Sequence, residues 1–134
     1  MKAKPLAVIG CSVFFGLLLW TARGVAPVSA QDRRLVRMAE LEIDPAQIVP
    51  YTAALKEEIE TSIRVEPGVL SLYAVSVKDH PAQIRMFEMY ASVEAYNAHL
   101  ETPHFKRYKT RTAGMVRSLK LVETDPILLG AKGQ

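Results

Sequence analysis

Four side chains stand out as able to move protons or hold a metal ion: His80, His99, His104 and the mid-strand Glu88. Imidazole titrates near neutral pH, so His99 and His104 are candidates for acid–base work. They lie five residues apart with Pro103 between them. Two ligands share one helical face at a spacing of three or four, so this pair does not read as a metal motif. No carboxylate motif accompanies them and no cysteine follows Cys11, so no metal site is expected. His80, beside Pro81, reads as a solvated loop residue. Glu88 alternates with Ile84, Met86 and Tyr90, a costly position for an unpaired charge. Either it pairs with an arginine, such as Arg85 of a neighbouring chain or Arg117, or it lies in a pocket walled by apolar and tyrosine side chains.

The elements that must position these groups follow from periodicity. Leu35 to Ile43 alternates, with Leu35, Ala39, Leu41 and Ile43 on one face and Glu40 and Glu42 on a wetter one. Asp44-Pro45-Ala46-Gln47 is a helix start, with Asp44 as N-cap and Gln47 in the capping-box position. The helix runs to about Arg64 with Ile48, Tyr51, Leu55, Ile59 and Ile63 at helical spacing, while Lys56, Glu57, Glu58 and Glu60 fill the other faces. Glu66-Pro67-Gly68 turns the chain into a strand, Val69 to Val77, that is apolar on both faces. A hairpin loop over Lys78 to Gln83 leads to a third strand, Ile84 to Ala91. Ser92 caps a short helix to Leu100, Thr102-Pro103 starts another to Gly114, and Arg117 to Glu123 is the last strand. Asp125 to Gln134 is a tail containing proline and glycine.

The order β-α-β-β-α-β, with its second helix broken at Pro103, predicts an α+β fold of the ferredoxin-like, split βαβ kind. Its four-stranded antiparallel sheet carries helices on one face. The other face is apolar enough to predict a homodimer with sheets face to face, a dimeric α/β barrel.

Length and charge set the frame. The 134 residues suit one compact domain, and 49% hydrophobic with 23% charged residues excludes a disordered tail or a multi-span membrane protein. The formal net charge of +3 hints at an anionic partner. That surplus belongs to the first thirty residues. Lys2 and Lys4 precede an apolar run, Leu6 to Trp20, and Val28-Ser29-Ala30 places small residues at the −3 and −1 positions of a cleavage site. These are the parts of a secretory signal peptide, predicting cleavage after Ala30 and export, with an uncleaved anchor as the alternative. Val8-Ile9-Gly10-Cys11 resembles a lipoprotein box, but the apolar run continues past Cys11, which reads as an inert small residue. Removing Lys2, Lys4 and Arg23 leaves 14 basic against 14 acidic residues, so neither nucleic acid nor an anionic membrane is an expected partner. The same cut leaves no cysteine, which excludes disulfides and thiolate chemistry.

One stretch narrows the reading. Glu88-Met89-Tyr90, Ala98-His99-Leu100 and Thr102-Pro103-His104-Phe105 resemble the E-x-W, A-H-L and S/T-P-H-F pieces of the antibiotic-biosynthesis-monooxygenase (ABM) family. Glu66-Pro67-Gly68 through Tyr73 resembles its E-P-G-x-x-x-Y strand entry. The likeness spans about residues 35–127, and residues 31–127 form the ABM-type domain between the signal segment and a tail over 128–134. It is closest to the quinol monooxygenase branch. Tyr90 departs from the family's usual tryptophan and adds a hydroxyl. The haem-degrading branch has a histidine where this chain has Lys109 and a tryptophan where it has His99, so haem degradation is not implied.

The resemblance implies oxygenation of a quinol or other electron-rich aromatic by O2, without metal or flavin. Such a site needs a base, a hydrogen-bond donor for a developing oxyanion and a dry cavity. On that expectation His99 is the base, Tyr73 and Tyr90 are donors and ring walls, and Glu88 orients a partner. Met86, Met89, His104, Phe105 and Tyr108 line the pocket. A small-molecule binding module or an isomerase using the same pocket stays open as the alternative.

Overall fold

The computed structural model describes residues 33–132. The signal segment over residues 1–30, its cleavage point and Cys11 lie outside the described residues. The elements are β1 (Leu35–Ile43), α1 (Ile48–Val65), β2 (Val69–Val77), β3 (His80–Tyr90), α2 (Val93–Glu101), α3 (Pro103–Thr112) and β4 (Val116–Thr124). All the strand pairs are antiparallel, in the order β2-β3-β1-β4. This is the ferredoxin-like α+β fold that the order of elements predicts. Among the described residues no helix is long and apolar enough to cross a membrane.

The strand registers fix which side chains meet. Ala39 faces Met86 and Leu41 faces Ile84, so alternate residues of β1 and β3 form one apolar floor. Tyr51 and Leu55 of α1 cover it, and Ile48, Ile59, Tyr108 and Met115 pack around the same cluster. Burying this floor is the main source of stability, at about 25 cal/mol for each Å² of apolar surface removed from water. A second cluster, Val69, Leu72 and Tyr90, lies under α2 with Ala95 and Tyr96 against it. The other face of the sheet leaves Met38, Tyr73 and Val75 exposed.

Several expectations need correction. Asp44 does cap, accepting from the Ala46 N–H at 2.9 Å, but it caps a 3-10 turn over Pro45–Gln47, and α1 begins at Ile48. Gln47 is the residue before α1 and makes no side-chain cap. The β2–β3 hairpin is much tighter than Lys78 to Gln83. Its turn is Lys78-Asp79, His80 already pairs with Val77, and Asp79 takes the left-handed conformation at φ 64°. Aspartate tolerates that conformation better than most residues. A register shift between Val69 and Ser71 turns Val69 onto the helix-covered face with Leu72. Finally, the buried stripe of α1 is Tyr51, Ala54, Leu55, Glu58 and Ser62, whereas Ile63 is exposed. Glu58 is therefore an interior residue.

Candidate active site

Local structure brings the histidines in from two short helices. Ser92 starts α2 by accepting from the Ala95 N–H at 3.2 Å, the ordinary N-cap contact. Thr102 then does two jobs at the α2–α3 junction. Its hydroxyl donates to the His99 carbonyl at 2.8 Å and accepts from the Phe105 N–H at 3.3 Å. Pro103 follows in the first turn of α3, where its missing N–H costs nothing. The junction re-aims the chain, so His99 and His104 point at one carboxylate although no single helix could present both.

That carboxylate is Glu66, at the C-terminal end of α1. His99 Nδ1 lies 3.0 and 3.2 Å from its two oxygens, and His104 Nε2 lies 2.6 Å from Oε1. Burial alone would raise the Glu66 pKa. Hydrogen bonds from His99 and His104 outweigh that and hold it below the ordinary carboxylate range. An ionised carboxylate only accepts, so His99 Nδ1 and His104 Nε2 carry the protons in these contacts. The other nitrogen of His99, Nε2, faces Glu58 Oε1 at 3.7 Å. Burial pushes the Glu58 carboxyl up, and neither the Ser62 hydroxyl nor the two imidazoles bring it back. Ser62 donates to Glu58 at 2.7 Å and fixes its rotamer. His99 is thus 2% exposed, between an ionised carboxylate and one whose pKa burial raises.

Glu88 and Tyr90 adjoin this cluster from β3. The Tyr90 hydroxyl donates to Glu88 at 3.2 Å, and its ring lies 5.4 Å from that of His99. Burial raises the Tyr90 pKa, and the nearby Glu88 charge raises it further, so the phenol stays protonated. Glu88 is also pushed up by burial, more than the Tyr90 hydroxyl and the Arg37 charge pull it down. Arg117 does not serve as its partner within the chain. Arg85 donates to the Ile84 carbonyl and Arg117 pairs with Asp44. The cation beside Glu88 is the buried Arg37, its register partner on β1, whose guanidinium stacks 4.5 Å over the Tyr96 ring.

The other expected site residues divide. Phe105 packs its ring 4.5 Å from that of His99. Met86 is a core residue under α1, and Tyr108 bonds the buried Tyr51 hydroxyl at 2.7 Å. Tyr73 and Met89 do not join the cluster. Tyr73 pairs with Phe87 on the uncovered face and is 64% exposed, while Met89 takes the Arg34 guanidinium at 3.9 Å. Tyr73 does reach the rim of a cleft of about 530 Å³ between α1 and the edge strand β2. Leu55, Ile59, Leu72 and Ile84 make that cleft apolar. Two of its lining residues, Ile59 and Leu72, also belong to the cluster around Tyr90. A volume of this size suits a small aromatic ligand.

Sequence reasoning missed Glu58, Ser62 and Glu66 as site residues, and with them the carboxylates beside the histidines. A signal for Glu58 was available: it stands three residues after Leu55 and seven after Tyr51, on the stripe that the helix buries.

The family model for antibiotic biosynthesis monooxygenase matches residues 34–111. A candidate antibiotic biosynthesis monooxygenase from Bacteroides thetaiotaomicron is 45% identical, over 78% of this chain and 99% of its own, with TM-score 0.74. A candidate monooxygenase from Lactobacillus acidophilus is 35% identical over 71% of this chain, which spans 45% of that longer protein, with TM-score 0.67. A third, from Nitrosomonas europaea, shares 22% identity over 72% of this chain and 92% of its own, a likeness of fold at TM-score 0.67. No match is found among curated proteins. With the family match covering more than half of the residues, this chain belongs to the antibiotic biosynthesis monooxygenase family.

Proposed function

We propose that the protein is a cofactor-independent monooxygenase that oxidises a quinol or another electron-rich aromatic with O2. The observation that carries this reading is the buried His99, held between Glu66 and Glu58 and stacked near the protonated Tyr90. Glu66 keeps the proton on Nδ1, which leaves Nε2 as the basic nitrogen. His99 Nε2 and Glu58 can then take up a substrate proton within a water-poor interior, where the charge shift is worth most. The apolar cleft between α1 and β2 supports an aromatic occupant, with Tyr73 at its rim and the Tyr90–Glu88 pair behind Ile59 and Leu72. Tyr90, turning from Glu88, supplies a hydrogen bond to a developing oxyanion.

The chemistry balances without a redox group on the protein. A deprotonated quinol passes one electron to O2, and the semiquinone and superoxide recombine with formation of a C–O bond. Cleavage of the O–O bond then releases water, so one quinol and one O2 give one hydroxyquinone and one water. Oxygen uptake by metal-free protein on addition of simple hydroquinones tests this, with one O2 consumed per quinol. No uptake above buffer overturns it. Tight quinone binding without uptake would point to a binding module, and substrate proton exchange without uptake to an isomerase.

Two further parts of the reading concern assembly and place. The exposed Met38, Tyr73 and Val75 on one sheet face support a homodimer with sheets face to face, which sedimentation checks. The charge and apolar pattern of residues 1–30 supports export, and N-terminal sequencing of protein recovered outside the cytoplasm should begin at Gln31.

A further inference from the structure

We propose that Glu58, His99 and His104 form a binding site for a divalent transition-metal ion of the Zn2+ class, and that occupancy of this site stops turnover. Each of the three offers one ligand atom, and these atoms all lie within 4.8 Å of one another, with Glu58 and His99 buried. Two imidazoles and one carboxylate are a donor set that Zn2+, Co2+ and Fe2+ accept, leaving a coordination position open. Neighbouring ligand atoms around tetrahedral Zn2+ stand about 3.3 Å apart, given metal–ligand bonds of about 2.0–2.1 Å. His99 Nε2 and Glu58 Oε1 are 3.7 Å apart, so a few tenths of an ångström bring them to that spacing.

The surroundings match what a metal site needs. Glu66 accepts from His99 Nδ1, which orients the ring so that Nε2 faces Glu58, the carboxylate–histidine arrangement that supports a metal-bound imidazole. Ser62 donates to the same Glu58 oxygen, Oε1, and holds the carboxyl in place. A small cavity of about 60 Å³ between α1 and α3 is lined by Glu58 and His104 and leads in from the surface, with room for an ion and a water. Arg107 and Arg111 also line it, but Glu57 draws the Arg111 guanidinium aside at 3.2 Å, and the acids Glu57 and Glu58 balance the two arginines. The doubly charged ion would offset the negative charge of the two neighbouring carboxylates, Glu58 and Glu66.

The binding half of this inference stands on the geometry alone. The inhibitory half rests on the proposed proton-transfer role, because the ion takes the lone pairs that role requires. The test is calorimetric titration of tag-free, chelator-stripped full protein with Zn2+, and the visible absorption of Co2+ as a second readout. One ion per chain is expected, with at least tenfold weaker binding in Glu58→Gln and His104→Gln and unchanged binding in the exposed control His80→Gln. Circular dichroism of each variant shows that it is folded. Glu66→Gln should weaken binding by about 10–100-fold without abolishing it, as a supporting carboxylate does. No saturable binding, or binding that folded Glu58→Gln keeps or His80→Gln loses, overturns the site. Oxygen uptake should fall in proportion to Zn2+ occupancy and return with chelator, and uptake unchanged at full occupancy overturns the inhibition. Absence of uptake at any metal level would sink the oxygenase reading while the titration still decides the site.

Discussion

Glu66 Oε1 stands 3.0 Å from His99 Nδ1, joining residues 33 positions apart in the chain. The contact sets which imidazole nitrogen carries a proton, so in the proposed reaction Glu66 is a positioning residue that acts through His99. Glu66→Gln should leave the fold intact, because the amide oxygen still accepts a hydrogen bond, but the amide cannot stabilise an imidazolium as a carboxylate does. The expected result is a fall in kcat of roughly 10²-fold with KM little changed, within the range usual for acid–base catalysis. His99→Ala should cost at least as much. Steady-state oxygen uptake checks both, and turnover unchanged in His99→Ala would remove the base assignment.

Gly68 explains the glycine of the Glu66-Pro67-Gly68 turn by contact. A Cβ built there would lie 2.6 Å from the Cβ of Ala95 on α2, well inside contact distance. Gly68→Ala must therefore push α2 away from β2 and carry His99 with it. Destabilisation of about 1–3 kcal/mol is expected, as for an overpacked core. Ala95→Gly removes the other half of the clash, so the double variant should recover part of the lost stability. Urea denaturation of the four proteins in this cycle measures that recovery, and simple additivity would place the cost elsewhere.

How much of this was legible in the sequence depends on the kind of information. Alternation placed Ile84, Met86, Glu88 and Tyr90 on one face correctly, because strand side chains have a fixed period of two. It also separated Tyr73 from Leu72. What it could not supply is the register of β2 on β3, which puts Leu72 opposite Glu88 and leaves Tyr73 on the uncovered face. The spacing of His99 and His104 rightly excluded a shared helical face, yet Pro103 and Thr102 turn α3 so that both reach Glu66. Convergence across a helix break is a tertiary fact that no periodicity carries. Glu58 was lost for another reason: a charged residue on a helix is read as solvated unless its apolar neighbours at three and four positions are counted.

The Tyr51–Tyr108 pair gives a separate test of stability. The two hydroxyls are 2.7 Å apart, and Tyr51 is completely buried. Either single change, Tyr51→Phe or Tyr108→Phe, leaves the partner hydroxyl short of a hydrogen bond in the interior, at a cost of about 1–3 kcal/mol. The double variant removes both polar groups and should be nearer to the parent than the sum of the singles. Thermal unfolding resolves this, since 1 kcal/mol moves Tm by roughly 4–8 °C in a domain of this size.

Glu88 gives the pH dependence a definite sign. Burial raises its pKa in the folded state above the ordinary value, against the smaller opposing pull of Tyr90 and Arg37. Between the unfolded value, near 4.5, and the raised folded one, the native protein holds more protons than the unfolded chain. Its contribution to stability is therefore complete at pH below 4.5 and is lost as pH rises through the folded pKa. Glu88→Gln keeps an acceptor for the Tyr90 hydroxyl and removes the titration. The variant should match the parent near pH 4 and be more stable at pH 8. Glu58 shifts in the same direction, whereas Asp44, Glu66 and Glu94 shift in the opposite one, so the informative quantity is the difference between the two proteins at each pH. Urea midpoints across that range measure it. A variant less stable than the parent at pH 8 would mean that the attraction between Glu88 and Arg37 outweighs the cost of burying the carboxylate.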